Sequence, residues 1–90
     1  MRISFDAVKR ERTLAERGLD FADAGAVFSG LTFDRVDRRQ DYGEERIITI
    51  GVLAGRMVVI VWTQRDDARH DISMRKANDR EKQRYEAYLD

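Results

Sequence analysis

Apolar and polar positions change period along this chain, and each change marks an element. Over residues 6–17 the spacing predicts a helix. Phe5, Val8 and Ala15 lie near one stripe, Leu14 sits beside it, and charges cover the rest. Gly18 can take positive φ and stops that helix. Asp20 is placed to cap a second short helix, with Asp23 near the positive end of its dipole. Phe21, Ala24, Val27 and Phe28 give this helix an apolar face, and Gly30 ends it. Residues 31–35 suit a short strand, and 37–43 read as a polar turn. Over 46–53 the period drops to two, with Ile48, Ile50 and Val52 on one face and Ile47 and Thr49 on the other. Ala54-Gly55 turns the chain into a strand over 56–64. Its stretch 57–62 is apolar at every position, as in a central strand covered on both faces. Asp66-Asp67 makes a second turn, and 69–74 form a further strand. Asn78 with Glu81 has the form of a capping box. It starts a last helix running to about Leu89, in which Tyr85 and Leu89 are spaced to pack together. The order α-α-β-β-β-β-α predicts an α+β domain: two N-terminal helices, a small antiparallel sheet of three to four strands, and a C-terminal helix.

Composition narrows the class. Ninety residues make one domain, taken as 1–90, and a chain of this size buries only about 60–65% of its unfolded surface. A partner that binds only the folded state would add to its stability. Charged residues are 38% and apolar residues 42% of the chain, and the apolar ones cluster, which argues against disorder. Lys plus Arg number 17 and Asp plus Glu number 17, so whole-molecule attraction to nucleic acid is not predicted. Any such contact needs a local cationic patch. Cysteine is absent, which fits a reducing compartment. The first residues lack the apolar segment of a secretory signal, and 57–62 is too short to span a bilayer, so a cytoplasmic protein without membrane contact is expected. The opening helix pair has the outline of a DNA-binding motif, but its helices are short and acidic.

Several stretches, in this order, resemble the BrnT family. They are Phe5-Asp6 with Lys9; Gly18 followed by Asp20-Phe21-Ala22-Asp23-Ala24 and Val27-Phe28; and Gly43-Glu44-Glu45-Arg46-Ile47-Ile48-Thr49-Ile50-Gly51. Trp62-Thr63-Gln64-Arg65 follows, then Ile72-Ser73-Met74-Arg75-Lys76-Ala77 before a charged helix with Tyr85. The resemblance implies a RelE-like ribonuclease fold, RNA cleavage that inhibits translation, and inhibition by a BrnA-like antitoxin with a ribbon–helix–helix part. DNA would then be met only through the antitoxin, whose dimeric part would bring two copies of this chain together. Two positions depart from the family pattern: Asp71 stands where an aliphatic residue is usual, and Glu16-Arg17 where many relatives show lysine and histidine. A buried, unpaired carboxylate at 71 would cost several kcal/mol, or raise its pKa to escape.

RNA cleavage without a metal needs a base for the 2′-hydroxyl, an acid for the leaving oxygen, and cations for the extra charge. Arg65, Arg75, His70 and Glu45 are the catalytic candidates, with Arg46, Lys76, Trp62 and Tyr85 as RNA contacts. Hairpin topology lets Glu45, Arg46 and Arg65 converge, whereas Arg65 and Arg75 lie at opposite ends of paired strands. Arginine and glutamate at strand ends are most often solvated or paired with each other. A lone histidine is more often packed than catalytic, though it titrates near neutrality. A tryptophan ending an apolar strand is more often core than a stacking platform. Ser73 has no base placed for it, so a serine nucleophile is not expected. One histidine, no cysteine and no spaced carboxylate loop make neither a metal nor a cofactor expected. The alternative from another class is a non-catalytic, degenerate toxin that only binds an antitoxin, which zero net charge and Asp71 favour.

Overall fold

The computed structural model describes residues 1–89. In chain order it has strand β1 (Arg2–Phe5), helix α1 (Ala7–Arg17), a 3₁₀ turn (Phe21–Asp23) running into helix α2 (Ala24–Phe28), strands β2 (Phe33–Val36), β3 (Ile47–Leu53), β4 (Arg56–Arg65) and β5 (Ala68–Lys76), and helix α3 (Asp79–Leu89). The class is α+β as predicted, but the sheet has five strands and is mixed, in the order β1-β5-β4-β3-β2. Strands β2 to β5 form an antiparallel meander. β1 joins its edge in parallel, from Arg2 opposite Ala68 to Phe5 opposite Asp71.

The expectation of three to four antiparallel strands therefore missed β1, and the reason is physical. Four residues give only two turns of apolar alternation, Ile3 and Phe5, and the pairing partner lies in β5, far along the chain. Phe5 is not part of a helical stripe either. It meets Phe21 edge-on at 6.0 Å. α1 buries no residue, and Val8 is 63% exposed, so the stripe read there is not a buried face. Polar contacts hold this helix instead. Asp6 caps it by accepting from the Lys9 amide at 3.0 Å. Arg10 forks onto Asp20 at 2.7 and 3.0 Å, and Arg17 donates to the Met74 carbonyl at 2.9 Å. Gly18 ends α1 with φ of 69°.

β4 is covered on both faces, as its apolar stretch predicted. Val58, Ile60 and Trp62 pack with Leu19, Phe21, Ala24, Val27 and Met74 beneath the N-terminal helices. Met57 and Val59 pack with Ile48, Ile50, Ala77 and Tyr85 beneath α3. α2 approaches β3 closely because residue 51 is glycine: a Cβ there would stand 2.6 Å from the Val27 Cγ1 methyl. α3 starts at the predicted capping box, with the Glu81 amide donating to Asn78 at 2.8 Å and the Asn78 amide to Glu81 at 2.9 Å. The α3 core reaches Val61 only at its margin. Beyond it on the same sheet face stand Thr63 and, opposite it, His70.

Candidate functional site

The end of the sheet away from the β3–β4 turn gathers ionisable side chains from four segments. β4 supplies Arg65, β5 supplies His70, β1 supplies Ser4, and the chain entering β3 supplies Glu44 and Arg46. The Ser4 hydroxyl lies 2.9 Å from His70 Nδ1. Arg65 pairs with Glu44 at 3.5 Å, and Arg46 with the other oxygen of the same carboxylate at 3.8 Å. Glu44 thus bridges two guanidinium groups. Arg46 also lies over the Tyr42 ring, 4.0 Å from its centroid. Tyr42 in turn donates to the buried Asp37 at 3.1 Å, and Arg39 forks onto that carboxylate at 2.8 and 2.7 Å. The Arg39 guanidinium holds Asp37 well below the usual carboxylate range. This brace fixes the loop that carries Tyr42 and Glu44.

His70 is partly buried, and burial is the main reason its imidazole lies below its ordinary pKa. The Arg65 charge lowers it further, Glu44 opposes that, and Lys9 and Asp6 at the start of α1 act weakly in opposite directions. A neutral imidazole beside an oriented arginine can take a proton while the arginine stabilises negative charge.

Other predicted residues fall elsewhere. Arg75 opposes Val59, while His70 opposes Thr63, so they lie four β4 positions apart, roughly 13 Å. Arg75 is tied to Glu81 by two bonds of 2.7 Å, at the start of α3. Lys76 opposes Val58, on the face of the N-terminal helices. Glu45 lends its carbonyl to the Thr63 hydroxyl at 2.7 Å. Trp62 and Tyr85 are core residues, 8% and 5% exposed. The Trp62 N–H is spent on Thr49 at 2.7 Å, and Phe28 and the Arg69 guanidinium stand against its ring. Both aromatics are thus packed in the core rather than set out as stacking platforms.

Sequence reasoning missed Ser4, Tyr42 and Glu44. Glu44 had a signal, because it shares strand parity with Arg46 and Ile48 whereas Glu45 does not. Ser4 had none, because its place depends on β1. A groove of about 370 Å³ between the β3–β4 turn and α3, lined by Val52, Met57 and Leu89 among others, holds none of the candidate residues. Among the described residues no three His, Asp or Glu side chains are grouped to hold a metal ion, and no helix is long and apolar enough to cross a membrane.

The fold defines a small α+β protein with a five-stranded mixed sheet, one end of which gathers His70, Arg65, Arg46 and Glu44. The family model of BrnT, the ribonuclease toxin of type II toxin–antitoxin systems, matches residues 5–81, and the chain belongs to that family. It is a family of ribonuclease toxins, and a type II system pairs such a toxin with an antitoxin. No curated protein matches the chain.

Proposed function

We propose that this chain is a metal-independent endoribonuclease of RelE-like fold that cuts RNA, inhibits translation in the cytoplasm, and is neutralised by a BrnA-like ribbon–helix–helix antitoxin. The observation that carries this is the register that sets His70 opposite Thr63, two residues from Arg65 in β4, with Glu44 within ion-pair distance of both Arg65 and Arg46. In this mechanism neutral His70 accepts the proton of a ribose 2′-hydroxyl. The freed oxygen attacks the adjacent phosphorus, and the bond to the 5′ oxygen breaks. Arg65 and Arg46 hold the charge that builds on the phosphoryl oxygens, and the Glu44 carboxylate lies between them at ion-pair distance. The leaving oxygen takes a proton from solvent. The products are a 2′,3′-cyclic phosphate and a 5′-hydroxyl. Arg75, paired with Glu81, acts at most as an outer phosphate contact.

Purified protein should cleave a single-stranded RNA in the presence of a chelator and leave cyclic phosphate ends. His70→Gln should lower the rate by about 10²–10⁴-fold with the fold intact, and Arg65→Gln should lower it comparably. Cleavage that stops in chelator would end the metal-independent mechanism. Full activity in His70→Gln would remove His70 from it.

One observation favours a degenerate, antitoxin-binding homologue: Asp71 is buried without a hydrogen-bond partner. It opposes Trp62, on the face of the N-terminal helices, so it bears on stability rather than on the His70 cluster. If folded wild type and Asp71→Val both leave RNA intact, this second reading replaces the first.

A further inference from the structure

Ser4 lies outside the residues matched by the family model, and nothing in family membership gives it a task. It nonetheless stands directly opposite His70 in the β1–β5 pair. Its hydroxyl is 2.9 Å from Nδ1, with both side chains partly buried. We propose that Ser4 is the positioning residue of His70, holding the imidazole in one orientation through both of its protonation states and leaving Nε2 as the nitrogen that meets substrate.

A hydroxyl is both donor and acceptor. When the ring is neutral, Ser4 can donate to Nδ1 or accept from it. When the ring is charged, Nδ1–H donates to the Ser4 oxygen. The same contact therefore survives the gain and loss of a proton at Nε2. A carboxylate in this place would behave differently, because it only accepts and it favours the imidazolium. Ser4 can hold the ring without charging it. Among the described residues, the structure gives neither the Ser4 hydroxyl nor His70 Nε2 any other side-chain partner, so the contact is undivided.

Strand pairing supports Ser4. β1 is paired with β5 from Arg2 to Phe5. Arg2 reaches Asp67 at 2.6 Å, and Phe5 packs on Phe21. Charge at His70 is set by other groups: Arg65 from β4, Glu44 from the chain entering β3, and Lys9 and Asp6 from the start of α1. Ser4 supplies direction and those groups supply the field. The catalytic consequence rests on the ribonuclease mechanism above, whereas the holding of the ring does not.

The experiment uses the full chain labelled with ¹⁵N-histidine, whose only imidazole is His70. Ring nitrogen shifts across pH read tautomer, hydrogen bonding and titration together, and backbone spectra verify the fold of each variant. Wild type should show a hydrogen-bonded Nδ1 both below and above the midpoint. Ser4→Ala should lose that signature and lower kcat by about tenfold to a hundredfold, with KM within about twofold. Ser4→Thr should restore both. Ser4→Asp should raise the His70 midpoint and move the acidic limb of the kcat profile to higher pH. Ser4→Ala with an unchanged Nδ1 signal and unchanged kcat overturns the proposal. So does loss of all cleavage in folded Ser4→Ala with a covalent RNA adduct on the wild type, which would make Ser4 a nucleophile. If wild type cuts no RNA, the ribonuclease mechanism fails, and the nitrogen shifts alone still decide whether Ser4 holds the ring.

Discussion

Asp71 stands in β5 with 1% of its surface exposed and neither carboxylate oxygen hydrogen-bonded. The nearby Arg69 does not relieve it. That guanidinium lies over Phe28 at 4.2 Å and near Trp62 at 5.1 Å, and its own Nε lacks a partner. Burial pushes Asp71 up to about 7, with Arg69 opposing weakly. The folded state therefore holds this proton more tightly than the unfolded chain does. The stabilisation from protonation is fully present below the unfolded value of 3.8 and is lost as pH rises through about 7. The difference is on the order of 4 kcal/mol. His70, held below its ordinary value, pulls the other way near neutrality. Urea midpoints should fall between pH 5 and pH 8 in wild type. Asp71→Val should be the more stable protein at pH 8 and should keep only the shallow opposite slope of His70. An unchanged midpoint across that range in wild type would mean Asp71 finds a partner in solution.

Among elements, the contact of α2 on β3 depends on a missing side chain. A methyl at residue 51 would meet Val27 Cγ1 at 2.6 Å and Thr32 Cγ2 at 3.2 Å. Val27 is fully buried and has nowhere to turn. Gly51→Ala should destabilise by about 1–3 kcal/mol through overpacking, read as a lower denaturation midpoint, and Val27→Ala in the same chain should recover part of the loss. What was legible in the sequence follows from signal length. β3 alternates with period two, β4 carries a continuous apolar run between two turns, and α3 carries a capping box, so these were readable. α1 was readable from Asp6 to its Gly18 stop, but its apolar positions, Val8 and Leu14, face solvent rather than a core. β1 is too short, and its partner too distant, for any local pattern to mark it. The site divides the same way. Hairpin connectivity placed Arg46 and Arg65 at one end. The choice between Glu44 and Glu45 needed the face as well as the end, and Ser4 needed a parallel pairing that no neighbouring residue encodes.

For the molecule as a whole, zero net charge coexists with a sheet end where Arg46, Arg65 and His70 gather and Glu44 is shared between two arginines. Apolar side chains are exposed well away from that end: Phe33 and Tyr88, 5.8 Å apart, with the Phe33 ring also on Tyr85. The proposed antitoxin would silence the cationic end with carboxylates and gain lifetime from apolar anchors. Raising salt should therefore slow association clearly and change dissociation little, in kinetics with the purified partner. Light scattering should find two copies of this chain in the complex. An association rate indifferent to salt would place the partner away from the cationic end.

The parallel pairing of β1 also sets an order of events. The chain is made from its N-terminus, and Ser4 meets a residue 66 positions later. While a ribosome is still adding the first two-thirds of the chain, the edge strand has nothing to pair with and the imidazole has not been made. Closing so long a span is slow and comes after the local hairpins. On the proposed mechanism the nascent chain therefore lacks its catalytic imidazole and the strand that holds it until β5 has been made and released.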